Sequence, residues 1–255
     1  MHIDNIKLPL LLRAIILSAV FLQSCQQPPQ TDSNELVVAA ASDLMKASQD
    51  LKNAFEQTSN TKVKFSFGPS GQLEQQIRQG APFDVFLPAA ISYGESLQRD
   101  DLLDGNITIY AIGRLVAWSS SIQINSLDDL RLPDIRSIAL ANPQYAPYGV
   151  AARQALQSLG LWEAVQPKLL YAYSVANALQ LAETGSADVA LVAVALVQDT
   201  GSPYLLIDSA LHAPIQQAAV VLRSSQNLPA ARAFVEFLQS EQAQNILRMY
   251  GFEHP

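Results

Sequence analysis

The chain has 255 residues, enough to bury a sizeable core in one large or two modest domains. It is 49% hydrophobic and only 15% charged, with a formal net charge of −7, and no cluster of basic residues offers a nucleic-acid footprint. One cysteine, Cys25, excludes an intramolecular disulfide framework.

In chain order, Lys7 and Arg13 precede an apolar segment over residues 14–22 that is too short to span a bilayer as a mature helix. It ends in Leu22-Gln23-Ser24-Cys25, which resembles a bacterial lipobox, where cleavage before the cysteine is followed by acylation of the thiol. Residues 1–24 are thus expected to be a lipoprotein signal peptide and Cys25 the lipidation site. Residues 25–34, polar and proline-bearing, are expected to form a flexible tether. The expected location is the periplasmic side of a membrane, held there by the lipid anchor.

The apolar run over 36–41 stops at Ser42, after which Leu44, Ala47, Leu51, Ala54 and Phe55 recur at helical spacing. This predicts a buried strand feeding a helix with Ser42 as its N-cap. Residues 63–67 alternate as a strand does, and the turn Gly68-Pro69-Ser70-Gly71 leads into a helix over 72–78, so Ser70 repeats the placement of Ser42. A strand over 84–87, a helix over 91–99 and two strands within 106–119, divided near Gly113, follow. The pattern then starts again. A strand over 137–141 ends at Asn142-Pro143, and a loop over 144–149 leads into a helix over 150–156 closed by Gly160. A strand over 169–173, a helix opened by Ser174 or Val175, and a strand over 188–193 come next. Residues 216–223 are strand-like, and helices at 229–239 and 241–250 finish the chain.

Strands alternating with helices predict an α/β fold with mostly parallel sheets flanked by helices. The turns at the carboxyl ends of the strands fall into two groups, near 42 and 70 and near 148 and 175. This predicts two lobes with a cleft between them: 35–114 with 219–255, and 115–218. The strands near 110–119 and 216–223 are the expected crossovers.

Several chemistries are missing. There is no G-x-S-x-G, no Walker A loop and no G-x-G-x-x-G. His2, His212 and His254 include no pair at metal-ligand spacing. Asp84, Glu183 and Asp188 read as solvated or capping carboxylates, and Trp118, Trp162, Tyr171 and Tyr173 as packing residues. What remains is a set of uncharged donors at helix starts: Ser42, Ser70, Tyr148 and Val175. Each hydrogen bond to a charged partner is worth about 1.5–3 kcal/mol, and a well-placed helix terminus adds up to about 2. Micromolar binding corresponds to about 8 kcal/mol, so five to seven such donors can hold a small desolvated oxyanion without lysine or arginine. Because every donor demands a lone pair, such a cage also rejects an acidic O–H.

Ala39-Ala40-Ala41-Ser42, Phe67-Gly68-Pro69-Ser70 with Leu73 and Ile77, Gly80 to Phe86, Asn142-Pro143 with Ala146-Pro147-Tyr148-Gly149, and Tyr250-Gly251-Phe252 occur in an order that resembles the periplasmic molybdate-binding proteins of ABC transporters. The similarity runs over about residues 35–253. It implies a two-lobed, type II periplasmic binding protein fold, no catalysis and no cofactor, with molybdate or tungstate as the ligand. It also implies an ABC permease and ATPase as partners of a monomeric receptor. Carried over by position, Ser42 and Ser70 each supply a hydroxyl and a backbone N–H, and Tyr148 and Val175 supply N–H groups. Two departures stand out. Some members carry a tyrosine hydroxyl where this chain has Ala193, and others carry an asparagine where it has Asp43. An ionised Asp43 aimed at a dianion would repel it, so its side chain is expected to face the first helical turn or solvent, leaving only its N–H for the ligand. The alternatives are a receptor for sulfate or another small anion, a sensor subunit, or an exported enzyme on the same scaffold.

Overall fold

The computed structural model describes residues 35–255; the expected signal peptide, Cys25 and the tether lie outside the described residues. In chain order the strands are β1 (Glu35–Ala41), β2 (Lys62–Gly68), β3 (Val85–Leu87), β4 (Thr108–Gly113), β5 (Leu115–Trp118), β6 (Ile138–Ala141), β7 (Leu169–Ala172), β8 (Val189–Ala193), β9 (Tyr204–Leu206) and β10 (Ile215–Val221). The helices are α1 (Ser48–Thr58), α2 (Ser70–Arg78), α3 (Ile91–Arg99), α4 (Pro147–Ser158), α5 (Trp162–Val165), α6 (Val175–Glu183), α7 (Val194–Val197), α8 (Leu228–Phe237) and α9 (Glu241–Met249).

Two five-stranded sheets result, ordered β2-β1-β3-β10-β4 and β7-β6-β8-β5-β9. Each is parallel on one side, in β2-β1-β3 and β7-β6-β8, and antiparallel where β10 and β5 enter. The sheets are therefore mixed. A helix-covered crossover dictates parallel pairing, but β4 and β5 are separated by Arg114 alone and lie in different sheets, so no such crossover sets the direction of β5. The sequence patterns follow burial. β1 lies between two neighbours, and Leu36, Val38, Ala39 and Ala40 are all fully buried, so it reads as a continuous apolar run. β2 is an edge strand and begins with exposed Lys62 and Lys64 around buried Val63.

The predicted apolar stripe of α1 is buried through Leu51, Ala54 and Phe55, with Phe55 set edge-on to Phe234 of α8 at 5.0 Å. The last two helices thus pack back on the first sheet: α8 lies on β10, and α9 on β4 and α1. Three helix starts differ from expectation, the first being α2, which opens at Ser70 inside the expected turn. Ser42 does not cap α1. It is the first residue of a 3-10 turn, Ser42–Leu44, and α1 begins only at Ser48. Asp43 and Leu44 are drawn into the interior there, which tightens the backbone before the α-helix can start. Helix α4 begins three residues early, at Pro147, because proline at the first helical position gives up an N–H that would have no intrahelical acceptor.

One glycine fixes the start of α4 against the end of β6. A Cβ on Gly149 would lie 2.0 Å from the carbonyl oxygen of Ala141, so the helix must pull back from the strand to accept any side chain. Gly149→Ala is expected to lower unfolding free energy by about 3 kcal/mol, the upper end for overpacking. A reduced urea midpoint with an unchanged m-value checks this.

Candidate functional site

Helices α2, α4 and α6 each follow a parallel strand and start at its carboxyl end, as does the 3-10 turn after β1. The first N–H groups of a helix have no acceptor within it and carry the positive end of its dipole. Ser70 and Val175 are the first residues of α2 and α6. Tyr148 is the second residue of α4 and follows a proline, so its N–H is the first that this helix can offer.

The two serine hydroxyls are oriented by what they accept. Ser70 Oγ accepts from the N–H of Ala89 at 3.0 Å. Ser42 Oγ accepts from the N–H of Ala176, in the first turn of α6, at 3.4 Å. A hydroxyl has one proton and two lone pairs. With a backbone N–H on one lone pair, its own proton is left to point elsewhere as a donor. Both serines are buried, 4% and 1% exposed, so these hydroxyls donate to a neighbour or a bound solute rather than to bulk water.

Ser42, Ser70, Tyr148 and Val175, all four donors expected from the sequence, line one cavity together with Asp43. Its volume is about 10 Å³, so it suits a compact solute. Its described lining holds no lysine, arginine or histidine. Larger grooves flank it, one of about 250 Å³ beside Tyr93 and Gln154 and one of about 520 Å³ beside Met45 and Tyr173. Neither gathers the starts of all three helices. The sides meet around the cavity through Gly71 N–H to Tyr145 O at 2.9 Å, Tyr93 Oη to the same oxygen at 3.3 Å, and Tyr173 Oη to Gln72 Oε1 at 3.0 Å.

Asp43 departs from expectation. Its side chain is wholly buried, which overturns the solvent-facing alternative, because α6 and α7 pack over the turn that carries it. Oδ2 accepts from Gln217 Nε2 of β10 at 2.6 Å. Burial pushes the Asp43 carboxyl up to about 6, against the lowering effect of Tyr148, of Gln217 and of the N–H groups of Asp43 and Leu44. The Tyr148 hydroxyl stands beside the carboxyl without a well-formed hydrogen bond, and Asp43 Oδ1, Gln217 Oε1 and Tyr110 Oη are likewise unpartnered. Sequence reasoning missed Gln217 and Tyr110. The available signal was the pair Gln216-Gln217 leading into the apolar run of β10, of which Gln217 is the fully buried member.

Other residues play structural parts. Ala193 is buried at the end of β8 opposite Leu115 and brings no side-chain donor. Asp84 accepts from Val37 N–H and Ser225 Oγ, and Asp188 from the N–H groups of Arg136 and Ser137. His212 Nδ1 lies against Ala213 O. Trp118 is buried as expected, whereas Tyr171 and Tyr173 are about half exposed.

Residues 36–253 match the family model described as bacterial extracellular solute-binding protein. The chain is 37% identical over 227 residues to the molybdate-binding protein ModA of Azotobacter vinelandii, covering 86% of this chain and 89% of that one. It is 34% identical over 224 residues to ModA of Rhodobacter capsulatus, covering 86% and 88%. The solved structure of the Azotobacter vinelandii periplasmic molybdate-binding protein superposes with a TM-score of 0.82 at 31% identity, covering 86% of this chain and 99% of that one.

The buried carboxyl has a consequence for stability. An acid with a higher pKa folded than unfolded binds more protons folded, so its contribution is greatest below the ordinary value of 3.8 and is lost as pH rises through about 6. Most of that loss falls between pH 4 and 7. Over this range the unfolding free energy of Asp43→Asn is expected to gain about 2–3 kcal/mol relative to the parent protein, measured by urea titration at each pH.

Proposed function

The chain belongs to the bacterial extracellular solute-binding protein family, and from that premise we propose that it is the receptor of a molybdate ABC transporter. The observation that carries the reading is the convergence of two buried hydroxyls and three helix starts on one small cavity whose lining has no cation. Ser42 and Ser70 donate O–H and N–H, Tyr148 and Val175 donate N–H, and the N–H of Asp43 is a further candidate. All address the oxygens of the anion; none is a ligand of its central atom.

Donors from both sheets must surround one anion, so binding and closure are a single event. The two lobes, expected as 35–114 with 219–255 and 115–218 but with the whole of β10 in the first sheet, come together on the ligand, and the closed form is what a permease and its ATPase would receive. Among the described residues no histidine stands beside the cavity serines to activate them, which favours capture over catalysis. Tungstate, with the same charge and tetrahedral shape, fits the same donors. Export, acylation at Cys25 and action as a monomer complete the proposal; a Cys25→Ala chain should leave the membrane fraction.

Two hydrogen bonds to a charged ligand are together worth about 3–6 kcal/mol. Ser42→Ala combined with Ser70→Ala is therefore expected to weaken molybdate binding by roughly 10²- to 10⁴-fold in titration calorimetry, with an unchanged far-UV spectrum. Unchanged affinity would remove these serines from the site, and displacement of molybdate by equimolar sulfate would reassign the ligand.

A further inference from the structure

Behind the anion cavity lies a polar group that capture of an anion does not by itself require. Asp43 comes from the turn after β1, Tyr110 from β4, Gln217 from β10 and Tyr148 from α4, and the four side chains meet in the interior. Asp43 borders the cavity and has no exposed surface. Its facing titratable groups are the phenols of Tyr110 and Tyr148, both held well above their ordinary value by burial first and then by the Asp43 charge, so both stay neutral. No charged side chain of α6 or α7 acts on it, and Lys46, three residues along, is paired with Asp199. A dianion in this cavity therefore faces an acidic group with no cation between them.

We propose that loading is proton-coupled: when the dianion enters, the cleft takes up one proton from solvent and holds it on the Asp43 carboxyl. This rests on the receptor reading and extends it. The step balances as dianion plus carboxylate plus one proton giving bound dianion plus carboxylic acid, with no covalent bond to the ligand.

The geometry accommodates the acid form. The 2.6 Å contact between Asp43 Oδ2 and Gln217 is short for N–H···O and ordinary for O–H···O. The two ends of an amide are interchangeable in shape, so a half-turn of Gln217 presents Oε1, otherwise unpartnered, to the acid proton. Asp43 Oδ1 then remains as an acceptor for the Tyr148 hydroxyl, which also lacks a partner. Oδ2 therefore keeps Gln217 as its partner in either protonation state, the amide N–H₂ meeting the carboxylate and the amide oxygen the acid. The free carboxyl already titrates near 6, and an adjacent dianion raises it further.

Molybdate titrations of the purified full chain, run from pH 6 to 8.5 in HEPES and in Tris, test this, because the buffers' different ionisation enthalpies count protons. The expected result is uptake of close to one proton near pH 7.5 and an affinity that falls about tenfold per unit of pH above 7. Asp43→Asn should bind with no uptake and a flat profile. An infrared difference spectrum should show a protonated carboxyl forming on molybdate addition to the parent chain and none in the variant. Should the variant not fold, the parent's proton count and infrared band decide alone. Molybdate binding without uptake, or uptake retained in Asp43→Asn, would overturn the proposal while leaving the receptor intact. Absence of molybdate binding throughout the range would remove the receptor and this coupling with it.

Discussion

A serine oxygen that accepts from a backbone N–H has its own proton free, and the cleft depends on that simple asymmetry. Ala89 sets Ser70 in this way within the first sheet's half, and Ala176 sets Ser42 from α6 of the other. The second bond does two things. It orients a donor, and it ties the turn after β1 to a helix start that belongs to the second sheet. Helix ends that would otherwise hold unpaired N–H groups in the interior are thereby brought to one point. A cavity without lysine or arginine can still present a positive lining because the backbone supplies it.

Much of this was legible in the chain. The run over 36–41, the turn at Gly68–Gly71 and the break at Asn142-Pro143 located three of the strand-to-helix junctions, and Ser174 located the fourth. The four donors at those junctions do line one cavity. The four junctions were readable because a helix start is a local event, announced by residues a few positions apart. Strand direction at β5 and β10 was not readable, since pairing partners distant in sequence decide it. Nor was the placement of Asp43. Its neighbours Gln217 and Tyr110 lie 174 and 67 positions away by number, and only the folded chain brings them together.

The treatment of charge separates this interior from an ordinary one. Asp84 accepts from one N–H and one hydroxyl, on different oxygens, and Asp188 from two N–H groups and a hydroxyl, as buried or half-buried carboxylates usually do. Asp43 has one side-chain donor in Gln217 and a phenol that stands beside it without closing on it. A fold that satisfies carboxylates elsewhere leaves one under-satisfied next to the site where a negative solute is expected. Incomplete pairing is a stability cost that a purely structural residue would have no reason to retain.

The glycine at the end of β4 carries a consequence of its own. A Cβ on Gly113 would stand 2.1 Å from the Tyr148 hydroxyl, so the ring is seated in the hollow that this glycine leaves at the strand crossing. The same tyrosine offers its main chain to the cavity. The bare backbone at the passage between the two sheets therefore works as a depth gauge: how far Tyr148 sinks there fixes how near its amide comes to the middle of the cavity, and bulk added at the crossing would reshape that cavity from some distance away.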